Sequence, residues 1–204
     1  MKSLWIEWFA SRAWKPFPFQ RETWAAALAG ESGLVHAPTG LGKTYAVWGG
    51  PLLDWLERNP DRARWPKQSE PLQVLWLTPL RALANDTAES LRIPLTDLGI
   101  PWSVALRTGD TSSAVRQKQR KGFPTALITT PESLSLLLSY PDTREKFSSL
   151  RYVIVDEWHE LIGSKRGVQA WPRSMAQRLR SAIQCGFWGY FAAFRCAPKF
   201  LQLL

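Results

Sequence analysis

Three observations predict an α/β domain built on a doubly wound parallel sheet. Short apolar runs alternate with helical patterns along the first 160 residues. Two of those runs, VLWL at 74–77 and YVIV at 152–155, are apolar at every position, as strands covered on both faces must be. Each run also ends in a polar loop: HAPTG, LTPLR, LRTGD, ITTPE and VDEWH. In an open parallel sheet such loops emerge along one edge, outside the carboxyl ends of the strands, where ligands bind.

Taken in order, apolar runs bounded by turn formers place strands at Gly33–His36, Gln73–Leu77, Ser103–Leu106, Ala126–Thr129 and Tyr152–Val155. Helical patterns fill the intervals at Lys43–Arg58, Leu80–Leu98, Ser112–Lys121 and Glu132–Leu138. Trp48 and Trp55 on one helix face, and Trp76 within a strand, read as core residues, not as stacking platforms for bases. The chain of 204 residues, 45% hydrophobic, is enough for one domain with a real core.

Composition narrows the setting. No basic stretch followed by an apolar segment and cleavage site follows Met1, which predicts a soluble cytoplasmic protein with no membrane partner. The uncharged run Ser181–Phe194 falls short of the roughly 20 residues of a spanning helix. Cys185 and Cys196 lack metal-type spacing and read as incidental thiols. The net charge of +9 is uneven, because every acidic residue lies before position 161 and the tail carries only basic ones. The basic balance is thus mostly a property of the tail and is weak evidence for a nucleic-acid partner.

The first loop is the most informative. APTGLGKT, Ala37–Thr44, fits the phosphate-loop pattern with Ala37 in place of its first glycine. Gly40 and Gly42 let backbone N–H groups turn inward around phosphate oxygens, and the helix opening at Lys43 adds its N-terminal dipole. Thr39, Gly40, Gly42, Lys43 and Thr44 are the candidate nucleotide contacts, with Lys43 on the terminal phosphates and the Thr44 hydroxyl on Mg2+. The last strand ends in two adjacent carboxylates: Asp156 is placed to hold Mg2+, and Glu157 to orient or deprotonate the attacking water. A solvated Asp-Glu pair at a strand end is the plainer alternative, and His159 could equally be a packed structural residue.

Together, APTGLGKT, TPLRALAND, TTPESL and DEWHEL resemble the first motor domain of superfamily 2 DExH-box helicases. More narrowly, WFASRAWKPFPFQRETW and DEWHELIGSKRGVQ are similar to the large helicase-related (Lhr) group, especially its ligase-associated DNA-repair branch. The resemblance covers about residues 1–170 and implies a RecA-like fold, ATP with Mg2+ as cofactors, and nucleic acid as partner, DNA rather than RNA. It assigns Gln20 in FPFQ to the adenine edge and Phe17 to packing near the base, against ordinary core packing for Phe17. It assigns Arg81 and Thr78 in TPLRAL, and Thr130 with the helix start after it in TTPESL, to the nucleic-acid backbone. By the same resemblance His159 joins Lys43 and Glu157 as a catalytic residue, linking hydrolysis to movement of the nucleic acid. RTGD, Arg107–Asp110, is a weaker match that could be a simple turn.

The family pattern continues beyond RGVQ with a Ser-Ala-Thr motif and a second motor domain; Ser181-Ala182-Ile183 is not that motif. We expect residues 1–180 to be the ATP-binding domain with its adenine-reading segment. Residues 181–204 are expected to be an atypical basic and aromatic tail, out of frame or artificially truncated and without native packing partners. On that expectation the chain alone is inactive. Two alternatives stay open: a non-catalytic nucleic-acid-binding fragment, and a phosphate-loop kinase or GTPase, which leaves TPLRAL and TTPESL unexplained.

Overall fold

The structure, a computed structural model, describes residues 2–79, 81–157 and 191–195. Helices α1 (Lys2–Ser11) and α2 (Pro18–Leu28) lead into β1 (Gly33–Val35) and α3 (Lys43–Arg58). After a 3-10 turn at Arg62–Arg64 come β2 (Val74–Leu77), α4 (Arg81–Leu98), β3 (Val104–Arg107) and α5 (Ser113–Lys121). The described chain then runs through β4 (Ala126–Thr129), α6 (Pro131–Leu138), α7 (Thr143–Lys146), β5 (Tyr152–Asp156) and β6 (Phe191–Arg195).

The strand order is β1-β6-β5-β2-β4-β3. The pairs β2–β5, β2–β4 and β3–β4 are parallel, and β6 runs antiparallel between β1 and β5. All five expected strands are present, and α3 has the expected bounds. Three things differ. Helices α1 and α2 occupy an N-terminal stretch whose aromatic residues masked their helical period. The short α7 also goes unpredicted, and the sheet has a sixth strand, so Phe191–Arg195 is not a partnerless tail. Its apolar Phe-Ala-Ala-Phe backbone bonds to both neighbours and fills the gap between β1 and β5.

Alternation along the buried strands divides the core in two. Val74, Trp76, Ala126, Ile128, Tyr152 and Ile154 face the layer built from α1 to α4. Leu75, Leu77, Leu127, Val153 and Val155 face Leu134 and Leu137 of α6 and Phe147. Trp48, Trp55 and Trp76 are fully buried, as core residues should be. Asp97 of α4 ties α1 down, accepting from the Trp8 indole at 2.7 Å and pairing with Arg12 at 2.6 Å. Asp54 in α3 accepts from Arg151, just ahead of β5, at 3.2 Å.

Helix α3 carries Gly49, Gly50 and Pro51 in its interior. A mid-helix glycine costs about 1 kcal/mol relative to alanine, so the pair calls for a packing reason. One is visible: α2 lies so close that a Cβ at Gly49 would stand 2.2 Å from the Trp24 indole nitrogen, and one at Gly50 2.7 Å from the Ala27 Cβ. No described helix is long and apolar enough to cross a membrane.

Candidate active site

The phosphate loop joins β1 to α3 with Gly40 at φ 87° and Gly42 at φ 76°, left-handed conformations that glycine adopts without penalty. A Cβ at Gly42 would also meet the Gln20 amide nitrogen at 2.9 Å. Thr39 and Gly40 are exposed, and Thr44 is half-buried in the first turn of α3. Lys43 is not exposed as a loop lysine would be: it is 9% accessible and donates to the carbonyls of Ala37 at 2.8 Å and Pro38 at 3.1 Å. The loop thus folds around its own ammonium group, which holds the concave backbone in shape before any phosphate arrives.

Asp156 ends β5 in a buried position on the Lys43 side of the sheet. Burial, followed by the charge of Glu157, pushes its carboxyl up to about 7, against the Glu157 backbone N–H, the Trp76 indole and Lys43, which favour the charged form. A cation binding there would restore its charge. One carboxylate and one hydroxyl suit Mg2+, which keeps several waters and takes further oxygens from substrate phosphates. Among the described residues no cluster of three or more metal-ligating side chains forms a closed cage.

Glu157 is half-buried and sits at φ 44°. Ala13 is the one other described non-glycine residue with positive φ. Strained backbone of this kind clusters at functional sites. His159 lies outside the described residues.

Gln20 is as buried as Thr130, at 2% accessible, and bridges two elements with both ends of its amide. Its Oε1 accepts from the Phe17 backbone N–H at 2.9 Å, and its Nε2 donates to the Gly42 carbonyl at 2.9 Å. Phe17 is 44% exposed and stacks on Phe19 at 5.9 Å, so it is not a core residue and keeps a ring face open.

The remaining loops line the same edge. Arg81 opens α4 with an exposed guanidinium, paired with Asp110 at 3.4 Å and lying over Gly109. Thr78 and Thr130 differ from expectation: they are 0% and 1% accessible, and Thr130 caps α6 by accepting from the Ser133 N–H. Burial leaves Arg81 as the accessible cationic side chain of these two motifs. RTGD is a built turn. Arg107 is buried and donates to the Arg116 carbonyl, while Arg116 donates to the carbonyls of Thr108 and Gly109. The role of Arg116, outside every motif, was beyond sequence reading.

A phosphate-loop motif and an Asp-Glu pair at the carboxyl edge of a parallel sheet define a RecA-like domain. Residues 17–188 match the DEAD/DEAH box helicase family, and the chain belongs to that family. It is 42% identical over 171 residues to the Lhr helicase/probable uracil glycosylase of Mycolicibacterium smegmatis, covering 79% of this chain and 11% of that protein. It is 42% identical over 167 residues to the ATP-dependent helicase Lhr-Core of Sulfolobus acidocaldarius, covering 78% and 18%. The Mycobacterium smegmatis helicase Lhr bound to ssDNA and AMP-PNP superposes with a TM-score of 0.70 at 38% identity, over 87% of this chain and 22% of that one. The chain therefore spans between a tenth and a quarter of the length of these relatives.

Proposed function

We propose that the chain is the nucleotide-binding first motor domain of an Lhr-type ATP-dependent helicase that acts on DNA in the cytoplasm, in the service of repair. The observation that carries this reading is the convergence of the Lys43 loop with Asp156 and Glu157 on one sheet edge, beside Arg81. A kinase or GTPase needs the first part of that edge but has no use for the second. DNA is preferred because the similar Lhr structure was solved with ssDNA.

In this reading, Lys43 leaves the carbonyls of Ala37 and Pro38 for the β- and γ-phosphates, while the N–H groups around Gly40 and Gly42 cradle them. Thr44 and Asp156 would hold Mg2+, which would supply positive charge against the charge developing on the phosphates. Glu157 accepts a proton from the attacking water. Gln20 and Phe17 take the adenine, and Arg81 with the N-terminus of α6 takes backbone phosphates, which makes the grip sequence-independent and salt-sensitive. His159 is assigned to coupling hydrolysis to movement of the strand. The second motor domain of the whole protein would supply the arginine that completes the charge around the γ-phosphate.

The test is Lys43→Ala. Losing a charge-assisted contact to phosphate should weaken Mg-ATP binding by about 10- to 100-fold. Because the Lys43 side chain is buried against its own loop, the melting temperature is recorded alongside. Equal nucleotide affinity in a folded variant would refute the phosphate-loop assignment.

A further inference from the structure

The base-reading segment and the phosphate loop are held together by one face of α2. Gln20, Trp24 and Ala27 follow one another at helical spacing, and they meet α3 in the same sequence order. Gln20 donates to the Gly42 carbonyl at 2.9 Å, the Trp24 indole donates to the Tyr45 carbonyl at 3.1 Å, and Ala27 faces Gly50. The two helices therefore run side by side in parallel, in contact for about two turns. Any side chain at Gly49 would occupy the place of the Trp24 ring, whose nitrogen is 2.2 Å from where a Cβ would stand. The Tyr45 carbonyl, one residue past Thr44, takes the indole N–H as a donor from outside its own helix. Trp24 itself is buried, and Trp5 and Phe9 of α1 pack edge-on against it from behind.

We propose that Trp24 and Gly49 are positioning residues that set the adenine-reading segment at a fixed distance from the phosphate loop, and so determine nucleotide selectivity without touching the nucleotide. The reason is mechanical. Phe17 and Gln20 are at the start of α2, and the phosphate loop ends at the start of α3. A base and a triphosphate belonging to one molecule can be engaged together only if those two helix starts hold their separation. The helix-weakening pair Gly49-Gly50 is what permits the close approach, and the indole N–H fixes its register. This rests on the reading of Gln20 as the adenine contact.

The test compares the affinity of the full chain for Mg-ATP, Mg-GTP and Mg-tripolyphosphate, the last having no base, in the parent, Gln20→Ala, Gly49→Ala and Trp24→Phe. Trp24→Phe removes the donor together with the five-membered part of the indole and adds no bulk beside Gly49, so it guards against a Gly49→Ala chain that fails to fold. The parent should prefer ATP, and Gln20→Ala should erase that preference. Gly49→Ala and Trp24→Phe should each reduce it by up to about 10-fold, the worth of a base hydrogen bond, with tripolyphosphate affinity unchanged. If Gly49→Ala and Trp24→Phe keep the parental preference while Gln20→Ala loses it, the positioning role is refuted and the base reading stands. If the parent shows no preference for ATP, the base reading itself falls. Equal loss of all three ligands would reduce Trp24 and Gly49 to fold maintenance and likewise overturn the proposal.

Discussion

Asp156 is a buried carboxylate whose ionisation the fold opposes. Burial and the neighbouring Glu157 raise its carboxyl to about 7, above the ordinary value of 3.8. The folded chain then holds a proton there that the unfolded chain releases, so folded stability falls as pH rises from about 4 to about 7 and levels off above. Asp156→Asn removes that penalty. Its melting temperature at pH 8 should exceed the parent's by at least roughly 2–4 °C, with the gap closing toward pH 4. Parallel melting curves across that range would show that Asp156 is not held protonated by its surroundings. Glu157 carries a different load. Glu157→Gln keeps the size and loses the basicity, so in a chain joined to its second motor domain it should bind nucleotide normally and hydrolyse it about 10²- to 10⁴-fold more slowly. Parental turnover would remove Glu157 from the base role.

At the level of elements, the proposed function assigns the hold on nucleic acid to α4 and the loops around it. Arg81 stands exposed at the start of α4, steadied by Asp110 and by the Gly109 surface beneath it. Arg81→Ala should weaken single-stranded DNA binding equally for all sequences and reduce the log-log salt slope by roughly one. A loss confined to some sequences would mean that Arg81 reads a base. Most of this edge was legible in advance because continuously apolar strands and Gly-Lys-Thr at a helix start leave few topologies open. The five strands and α3 followed directly. Other parts were not legible for physical reasons. Helix α1 buries Trp5, Trp8 and Phe9 in one aromatic cluster, so its composition says little about its period. Strand β6 forms through backbone pairing with β1 and β5, which are distant in sequence, and no local turn signal announces it. Thr78 and Thr130 resembled backbone contacts by motif alone, whereas burial and capping depend on which way the chain turns after β2 and β4. His159 and the thiols at 185 and 196 lie outside the described residues.

For the whole molecule, the question is what one motor domain can do. On the proposed reading, Lys43, Asp156 and Glu157 surround the γ-phosphate and a second motor domain adds an arginine, which when supplied in this way is worth about 10³- to 10⁵-fold in rate. Unwinding further requires two domains that close on ATP and reopen after hydrolysis, so that the grip on the strand alternates. The 204 residues alone should therefore bind ATP weakly, turn it over negligibly and separate no strands. The most direct measurement is ATP turnover and strand separation, with and without single-stranded DNA, by this chain and by the same chain joined to a second motor domain of an Lhr relative. The account predicts that the joined protein alone shows DNA-stimulated turnover and unwinding. Robust unwinding by the 204 residues, or a joined protein whose ATP turnover ignores DNA, would contradict it.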